Sequence, residues 1–421
     1  MKGIFLTLIF LAFCFFPFFI LGITAREGRF IYVSPSGDDN LGDGSVENPF
    51  KTLTNALYYA KPGDTVYLRG GVYPLDVNAD VSGTSSRPIV VMSFPGEWAV
   101  FDGSGSEPAQ SDTPKFRVTG NYLIFKNFEI KHGGSDGFLL TEGASYNIVE
   151  HVIVHHCYFA GFEIENGAHH NLLVNCDSYL NFDYGDTNGE HADGFGVKYN
   201  VGEGNVLTYC RAWANSDDGY DLWEANSRVV IMYCYAWANG FDNWGRGDLF
   251  AGDGNGFKLG PGGHIIHHCI AWHNARRGFD YNDAVETMHI YNNTSYNNPI
   301  GYRFEAGRHV LKNNLSFRDG GNSIGVSCIQ EANSWQYNGL PDDAFLSYDD
   351  SVIAGERNPD GSIKANDFMK PSLTNPFIDA GVDVGLPFYG KAPDIGAVEV
   401  RIHRIINPVI PNDDDIPSEL F

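Results

Sequence analysis

A six-residue phrase that returns along the middle of the chain limits what it can fold into more than any other feature. It reads Cys176-Asp-Ser-Tyr-Leu-Asn181, Cys210-Arg-Ala-Trp-Ala-Asn215, Cys234-Tyr-Ala-Trp-Ala-Asn239 and Cys269-Ile-Ala-Trp-His-Asn274, then Asn293-Thr-Ser-Tyr-Asn-Asn298 and Asn314-Leu-Ser-Phe-Arg-Asp319, at intervals of 34, 24, 35, 24 and 21 residues. The longer intervals fit the shorter unit with an insertion of about ten residues. A second phrase, Gly followed by Phe or Tyr, keeps step with the first at Gly137, Gly161, Gly194, Gly219, Gly256, Gly278 and Gly301. Two phrases in phase define one repeating coil. Each coil carries short β-branched runs, such as Val229-Val-Ile-Met-Tyr233, bounded by Gly, Asn and Asp turns. Strand-and-turn units of this length bury an apolar face only by stacking on one another, so the chain reads as all-β, a parallel β-helix. Ahead of the repeats, Leu53, Ala56, Leu57 and Ala60 fall at helical spacing, which predicts an N-terminal capping helix over the open end.

The chain opens with Met1-Lys2-Gly3 and an apolar stretch from Ile4 to Ile23, the pattern of a secretory signal peptide over residues 1–25. A secreted, extracellular protein is expected. No linker divides the rest of the chain, so a single β-helix domain over 26–401 is expected, with a loosely ordered tail over 402–421. The balance of 28 basic and 52 acidic residues gives a net charge of −24, which repels nucleic acid and anionic membranes. No stable membrane association is expected once the leader is removed, and the chain is expected to act as a monomer. An even number of cysteines in a secreted chain raises a disulfide framework. Cys176, Cys210, Cys234 and Cys269, however, hold one position that Asn293 and Asn314 then fill, which reads as an inward stack of small side chains with free thiols. The sequons at Asn293 and Asn314 fall in that column and are expected to carry no glycan.

Stacked coils turn sequence distance into spatial distance, because equivalent positions on adjacent rungs lie about 4.8 Å apart. Just before the Gly-aromatic pair the column runs Asp136, Ala160, Asp193, Asp218, Asn255, Arg277, Ile300; just after it, Leu139, Glu163, Gly196, Asp221, Lys258, Asp280, Arg303. Asp193, Asp217, Asp218 and Asp221 thus gather on two rungs. Four carboxylates in one patch are stable chiefly when a hard cation such as Ca²⁺ neutralises them; the plainer alternative is acidic decoration of solvated turns. Lys258 stands on the next rung, beside glycines, as a candidate general base, the alternative being an ordinary ion pair with Asp221 or Asp280. A cation acting as Lewis acid and a lysine acting as base suit β-elimination on a uronic acid polymer: removal of the C5 proton, departure of O4 and a 4,5-unsaturated product. Arg276, Arg277 and Arg303 are candidate contacts to further substrate carboxylates, or solvated surface charges.

With these residues in view, the chain resembles the polysaccharide lyase family 9 pectate lyases. The resemblance rests on His191-Ala-Asp-Gly-Phe-Gly-Val-Lys198, on Cys210-Arg-Ala-Trp-Ala-Asn-Ser-Asp-Asp-Gly-Tyr-Asp-Leu-Trp223 and on Gly254-Asn-Gly-Phe-Lys-Leu-Gly260. It implies a right-handed parallel β-helix, calcium held by Asp193, Asp217, Asp218 and Asp221, Lys258 as base and pectate or polygalacturonate as substrate, with rhamnogalacturonan as the alternative within the family. Two further readings stay open beside it. A β-helix glycoside hydrolase would use Asp217 or Asp218 directly and leave Lys258 without a task. A non-catalytic glycan-binding solenoid would display a stripe of exposed aromatics, whereas Trp213, Trp237 and Trp272 share one repeat position and are expected to pack together. Insertions around 181–190 and 243–253 flank the proposed site.

Overall fold

The computed structural model describes residues 28–104, 115–185 and 187–401, so the expected signal peptide over 1–25 and the tail over 402–421 lie outside the described residues. The described residues belong to one compact unit, Gly28–Ile402. Its strands form a twenty-stranded and a ten-stranded sheet, and the pairings between successive coils are parallel and in register. The larger sheet consists of two columns that part at a corner. The long strands Leu123–Lys131 and Ile148–His155 run through both. Three strand columns per coil make the parallel β-helix that the repeat predicts.

The six-residue phrase is one face of the coil with a corner at each end. The corner before it is a single left-handed residue: Asn175, Tyr209, Tyr233, His268, Asn292 or Asn313, with φ from 50° to 58°. Next comes the inward Cys or Asn, then the strands Asp177–Tyr179, Arg211–Trp213, Tyr235–Trp237 and Ile270–Trp272. A second left-handed residue follows at Leu180, Ala214, Ala238 or His273, and the buried asparagine closes the phrase. These asparagines form a ladder. Asn215 donates its main-chain and side-chain N–H groups to Asn239 Oδ1 at 3.1 and 3.0 Å, and Asn239 donates likewise to Asn274 at 3.3 and 3.0 Å. The corner leaves amides without strand partners, and the ladder satisfies them inside the core.

The Cys column behaves as the sequence predicts: among the described residues all six cysteines are free and buried. It passes into a second asparagine ladder, where Asn293 and Asn314 are fully buried, a place no glycan can reach. The Gly-aromatic phrase fills the core with a stack running Phe195, Tyr220, Phe257, Phe279, Tyr302, with centroids 4.6 to 5.0 Å apart. Its glycines are a packing requirement. A Cβ on Gly219 would lie 2.7 Å from Gly256 O and 3.0 Å from Ala236 Cβ. Trp213, Trp237 and Trp272 stack on the outer face at 4.9 and 4.7 Å, as expected.

The predicted cap is the helix Leu53–Tyr59, whose N-cap Thr52 side chain accepts the Asn55 N–H. Leu53, Ala56 and Leu57 are buried against the first strands of the helix. At the other end the repeat stops after Ile329–Glu331. The next segment folds back over the tryptophan stack, where Phe345, Phe368 and Phe377 join Trp237 and Trp272 in a second apolar cluster. A buried charge triad pins it. Asp177 takes Arg211 at 2.6 Å and Arg357 at 2.7 Å, and Arg211 also donates to Gly355 O at 2.8 Å.

Removing one rung of the ladder leaves buried donors and acceptors on both neighbours unpaired. Asn239→Ala is therefore expected to cost about 3 kcal/mol, read as a lower urea midpoint at unchanged slope.

Candidate metal and catalytic site

The ten-stranded sheet carries the site because its strands place one outward side chain per rung at fixed spacing. Beyond the aromatic stack that column runs Leu139, Glu163, Gly196, Asp221, Lys258, Asp280, Arg303, each residue paired with the next, in the register the repeat predicts. In the preceding column Gly194 N donates to Asp218 O and Gly219 N to Asn255 O, which sets Asp193, Asp218 and Asn255 on successive rungs.

Asp193, Asp218 and Asp221 converge. All three are buried, and each contributes an oxygen within 4.8 Å of the others. Their Oδ1 atoms are tied back to the chain. Asp193 Oδ1 accepts Asp218 N at 3.1 Å, Asp218 Oδ1 accepts Asn255 N and Nδ2 at 2.7 Å each, and Asp221 Oδ1 accepts Trp223 N at 3.0 Å. The Oδ2 atoms face two lysines. Lys198 Nζ lies 2.6 Å from Asp193 and 3.5 Å from Asp221, while Lys258 Nζ lies 3.0 Å from Asp218 and 3.5 Å from Asp221. The lysines differ in access: the Lys198 side chain is 3% exposed and that of Lys258 16%.

Asp217 is buried on the same turn but stands outside the group of three. Its Oδ1 accepts the N–H of Asp253 at 2.7 Å. That bond belongs to the second insertion, whose Trp244 stacks on Phe182 at 4.5 Å and whose Ala251 N–H donates to Asn188 O at 3.0 Å. The two insertions therefore pack on each other and reach the carboxylates through Asp253. The arginines are engaged elsewhere. Arg276 pairs with Asp253, Arg277 with Asp280 at 2.7 Å, and Arg303 with Asp280 at 3.2 Å and Asp283 at 2.7 Å.

Lys198 and Glu163 escaped the sequence reading as site residues. The available signal was Gly196, which interrupts the outward column: a Cβ there would lie 2.0 Å from Glu163 Oε2 and 2.9 Å from Lys198 Cε. The missing side chain makes room for both groups to lie side by side under the carboxylates.

Burial dominates the electrostatics. It raises the Asp193 carboxyl to about 7 and that of Asp218 to about 6, with neighbouring carboxylates adding to the shift, and it holds Asp217 and Glu163 well above the usual range. For the lysines burial works against the charge but loses. Asp218 and Asp221 hold the Lys258 ammonium above its ordinary value, and Asp193 and Glu163 do the same for Lys198. With its carboxylates uncompensated, Lys258 is thus a charged ammonium rather than a base. Converging hard oxygens of this kind suit a hard divalent cation, whose charge would relieve the repulsion and release the lysine.

Residues 31–314 match the family described as Pel9A-like, right handed beta helix region. Pectate lyase L of Dickeya chrysanthemi is 35% identical over 399 residues, covering 90% of this chain and 92% of the relative. Among solved structures, pectate lyase Pel9A superposes with a TM-score of 0.81 at 34% identity over 88% of this chain and 96% of that one. A rhamnogalacturonan lyase superposes at 0.74 with 27% identity, over 82% of this chain and 97% of that one.

The Lys198–Asp193 pair is almost free of solvent, so removing one partner strands the other. In chelator, Lys198→Met is expected to lose about 3–5 kcal/mol of stability, and Lys198→Met with Asp193→Asn to regain most of it, measured by urea unfolding of both variants.

Proposed function

The chain belongs to the Pel9A-like right-handed β-helix family, and from that membership and the geometry of its site we infer that it is a pectate lyase cleaving polygalacturonate by β-elimination. We propose that Asp193, Asp217, Asp218 and Asp221 hold calcium and that Lys258 is the base. The observation that carries this assignment is the inequality of the two lysines. Lys258 reaches the surface beside the carboxylates, whereas Lys198 is enclosed behind them. A calcium ion held there would neutralise the aspartates, lower the Lys258 pKa and polarise a uronate carboxylate so that its C5 proton is more acidic.

The residues of the chain divide the remaining work. Neutral Lys258 Nζ takes the C5 proton; the electron pair forms the C4–C5 double bond and O4 leaves with the departing chain, drawing its proton from water. Lys198, paired with Asp193 at 2.6 Å and Asp221 at 3.5 Å, acts as an internal counter-charge that aims both aspartates. Asn255 fixes Asp218 through two hydrogen bonds, so that Oδ2 is the oxygen offered. Asp253 fixes Asp217 from the inserted loop. Arg276, Arg277 and Arg303, already paired with aspartates, would contact substrate only by exchanging those partners. Secretion, expected from the apolar leader, suits a polymeric substrate, and we propose action as a monomer.

The direct test is ultraviolet absorbance of unsaturated product from polygalacturonate. Wild type with calcium should produce it and wild type with chelator should not. Lys258→Ala should lose roughly 10²–10⁴ in rate while keeping its thermal stabilisation by calcium. New reducing ends without that absorbance would mean hydrolysis and sink the assignment.

The raised carboxyls set a pH dependence. Below the ordinary carboxylate range Asp193 and Asp218 are protonated folded or unfolded and contribute nothing. As pH rises toward 6 and 7 the unfolded chain ionises first, so their burial increasingly disfavours the metal-free fold. Calcium needs the ionised forms. Its stabilising effect on melting temperature is therefore expected to be larger at pH 8 than at pH 5.5, as scanning calorimetry would show.

A further inference from the structure

The turns after the site strands form a shallow, open groove of about 370 Å³, lined by Trp223, Glu224, Pro261, Asp283, Val285 and Glu286. It adjoins the site covalently. Trp223 is two residues past Asp221 and gives that aspartate its main-chain N–H, Pro261 is three past Lys258, and Asp283 is three past Asp280. Because the three coils are in register at Asp221, Lys258 and Asp280, their outgoing turns lie on adjacent rungs as well.

The groove has a mixed chemistry that no other step uses. Trp223 is 44% and Val285 66% exposed, so both offer apolar surface to the groove. The Trp223 ring packs edge-on against Tyr199 at 5.6 Å. Around these apolar surfaces stand three carboxylates. Asp283 pairs with Arg303 at 2.7 Å, a guanidinium it shares with Asp280 and Glu305, while the exposed Glu224 and Glu286 have no ion-pair partner among the described residues.

We propose that this groove is a subsite for an uncharged pyranose unit adjoining the uronate that is cleaved, an inference that rests on the lyase reading. Indole and valine surfaces suit the C–H face of a sugar ring, and carboxylates accept hydrogen bonds from its hydroxyls. A second ionised uronate would instead bring its carboxylate against Glu224 and Glu286. The chain that best satisfies both places carries charge at the aspartate site and none one unit along; polygalacturonate, which brings a second carboxylate there, is then a substrate of the same site that binds more weakly. A methyl-esterified galacturonate and a rhamnose both meet that requirement.

The test is calorimetric binding of oligosaccharides to the Lys258→Ala protein in calcium, which requires no turnover. Three ligands of equal length are compared: unesterified oligogalacturonate, its partly methyl-esterified form, and an alternating rhamnose–galacturonate oligomer. At least one uncharged-unit ligand is expected to bind more tightly than the unesterified one, and the tighter of the two identifies the source. Adding Trp223→Ala should weaken that ligand about tenfold, with Trp223→Phe retaining most of the affinity and both variants keeping their calcium-dependent melting temperatures. Adding Glu224→Gln and Glu286→Gln should narrow the gap by strengthening the unesterified ligand. Equal affinity for all three ligands, or an equal loss for all three in Trp223→Ala, would overturn the subsite. Absence of unsaturated product when wild type with calcium is given each of the three ligands would count instead against the lyase reading.

Discussion

Everything in this molecule depends on the coils stacking in one register. Parallel strands accept several registers by hydrogen bonding alone, but the interior does not. Each asparagine of the ladder accepts from the rung before it and donates to the rung after it, so a slip would leave buried amides facing backbone or apolar groups without partners. The corners impose the same condition. Left-handed conformations at Ala214, Ala238 and His273 are unfavourable for residues with side chains, each costing about 1 kcal/mol or more. They persist because the ladder, the glycines facing Ala212 and Ala236, and the aromatic stack all demand a sharp turn there.

A rigid register allows charge to be concentrated where a softer scaffold would let it disperse. Three carboxylates converge because their rungs cannot separate, and their Oδ1 atoms are held by main-chain and asparagine donors rather than by water. The two lysines then differ in burial. Enclosed between Asp193 and Asp221, Lys198 cannot be discharged cheaply. Lys258 sits at the more exposed edge of the same cluster, with 16% of its side chain open to solvent.

Outside the coil the structure adds pieces that answer to the site and to the walls. The two insertions brace one another through Phe182 and Trp244 and deliver Asp253 to Asp217. The segment after the repeats covers an outer face that would otherwise expose a row of stacked tryptophans, and the Asp177–Arg211–Arg357 triad locks it down. That triad is a buried ionic arrangement in which one carboxylate serves two guanidiniums, so its burial is offset by multiple charge-assisted hydrogen bonds.

The periodic features were legible without coordinates because a solenoid makes periodicity and position the same thing. The phrase spacing determined the parallel β-helix, the free buried cysteines, the self-packing of Trp213, Trp237 and Trp272, and the two columns that bring Asp193, Asp218, Asp221 and Lys258 together, and the helical spacing of Leu53, Ala56, Leu57 and Ala60 determined the cap over its end. The features outside the period were decided by tertiary structure. Lys198 and Glu163 are not recognisable as site residues in one dimension, since their meeting depends on the space left by Gly196. The separation of Asp217 from the convergent three depends on a hydrogen bond from an insertion whose path no repeat dictates. The pairing of Arg277 and Arg303 with Asp280, rather than with anything beyond the protein, follows from side-chain reach across rungs. Sequence spacing sets which rung a residue occupies; only the packed fold decides which neighbour its charged end meets, because that choice is made by burial and by whichever partner lies within hydrogen-bonding distance.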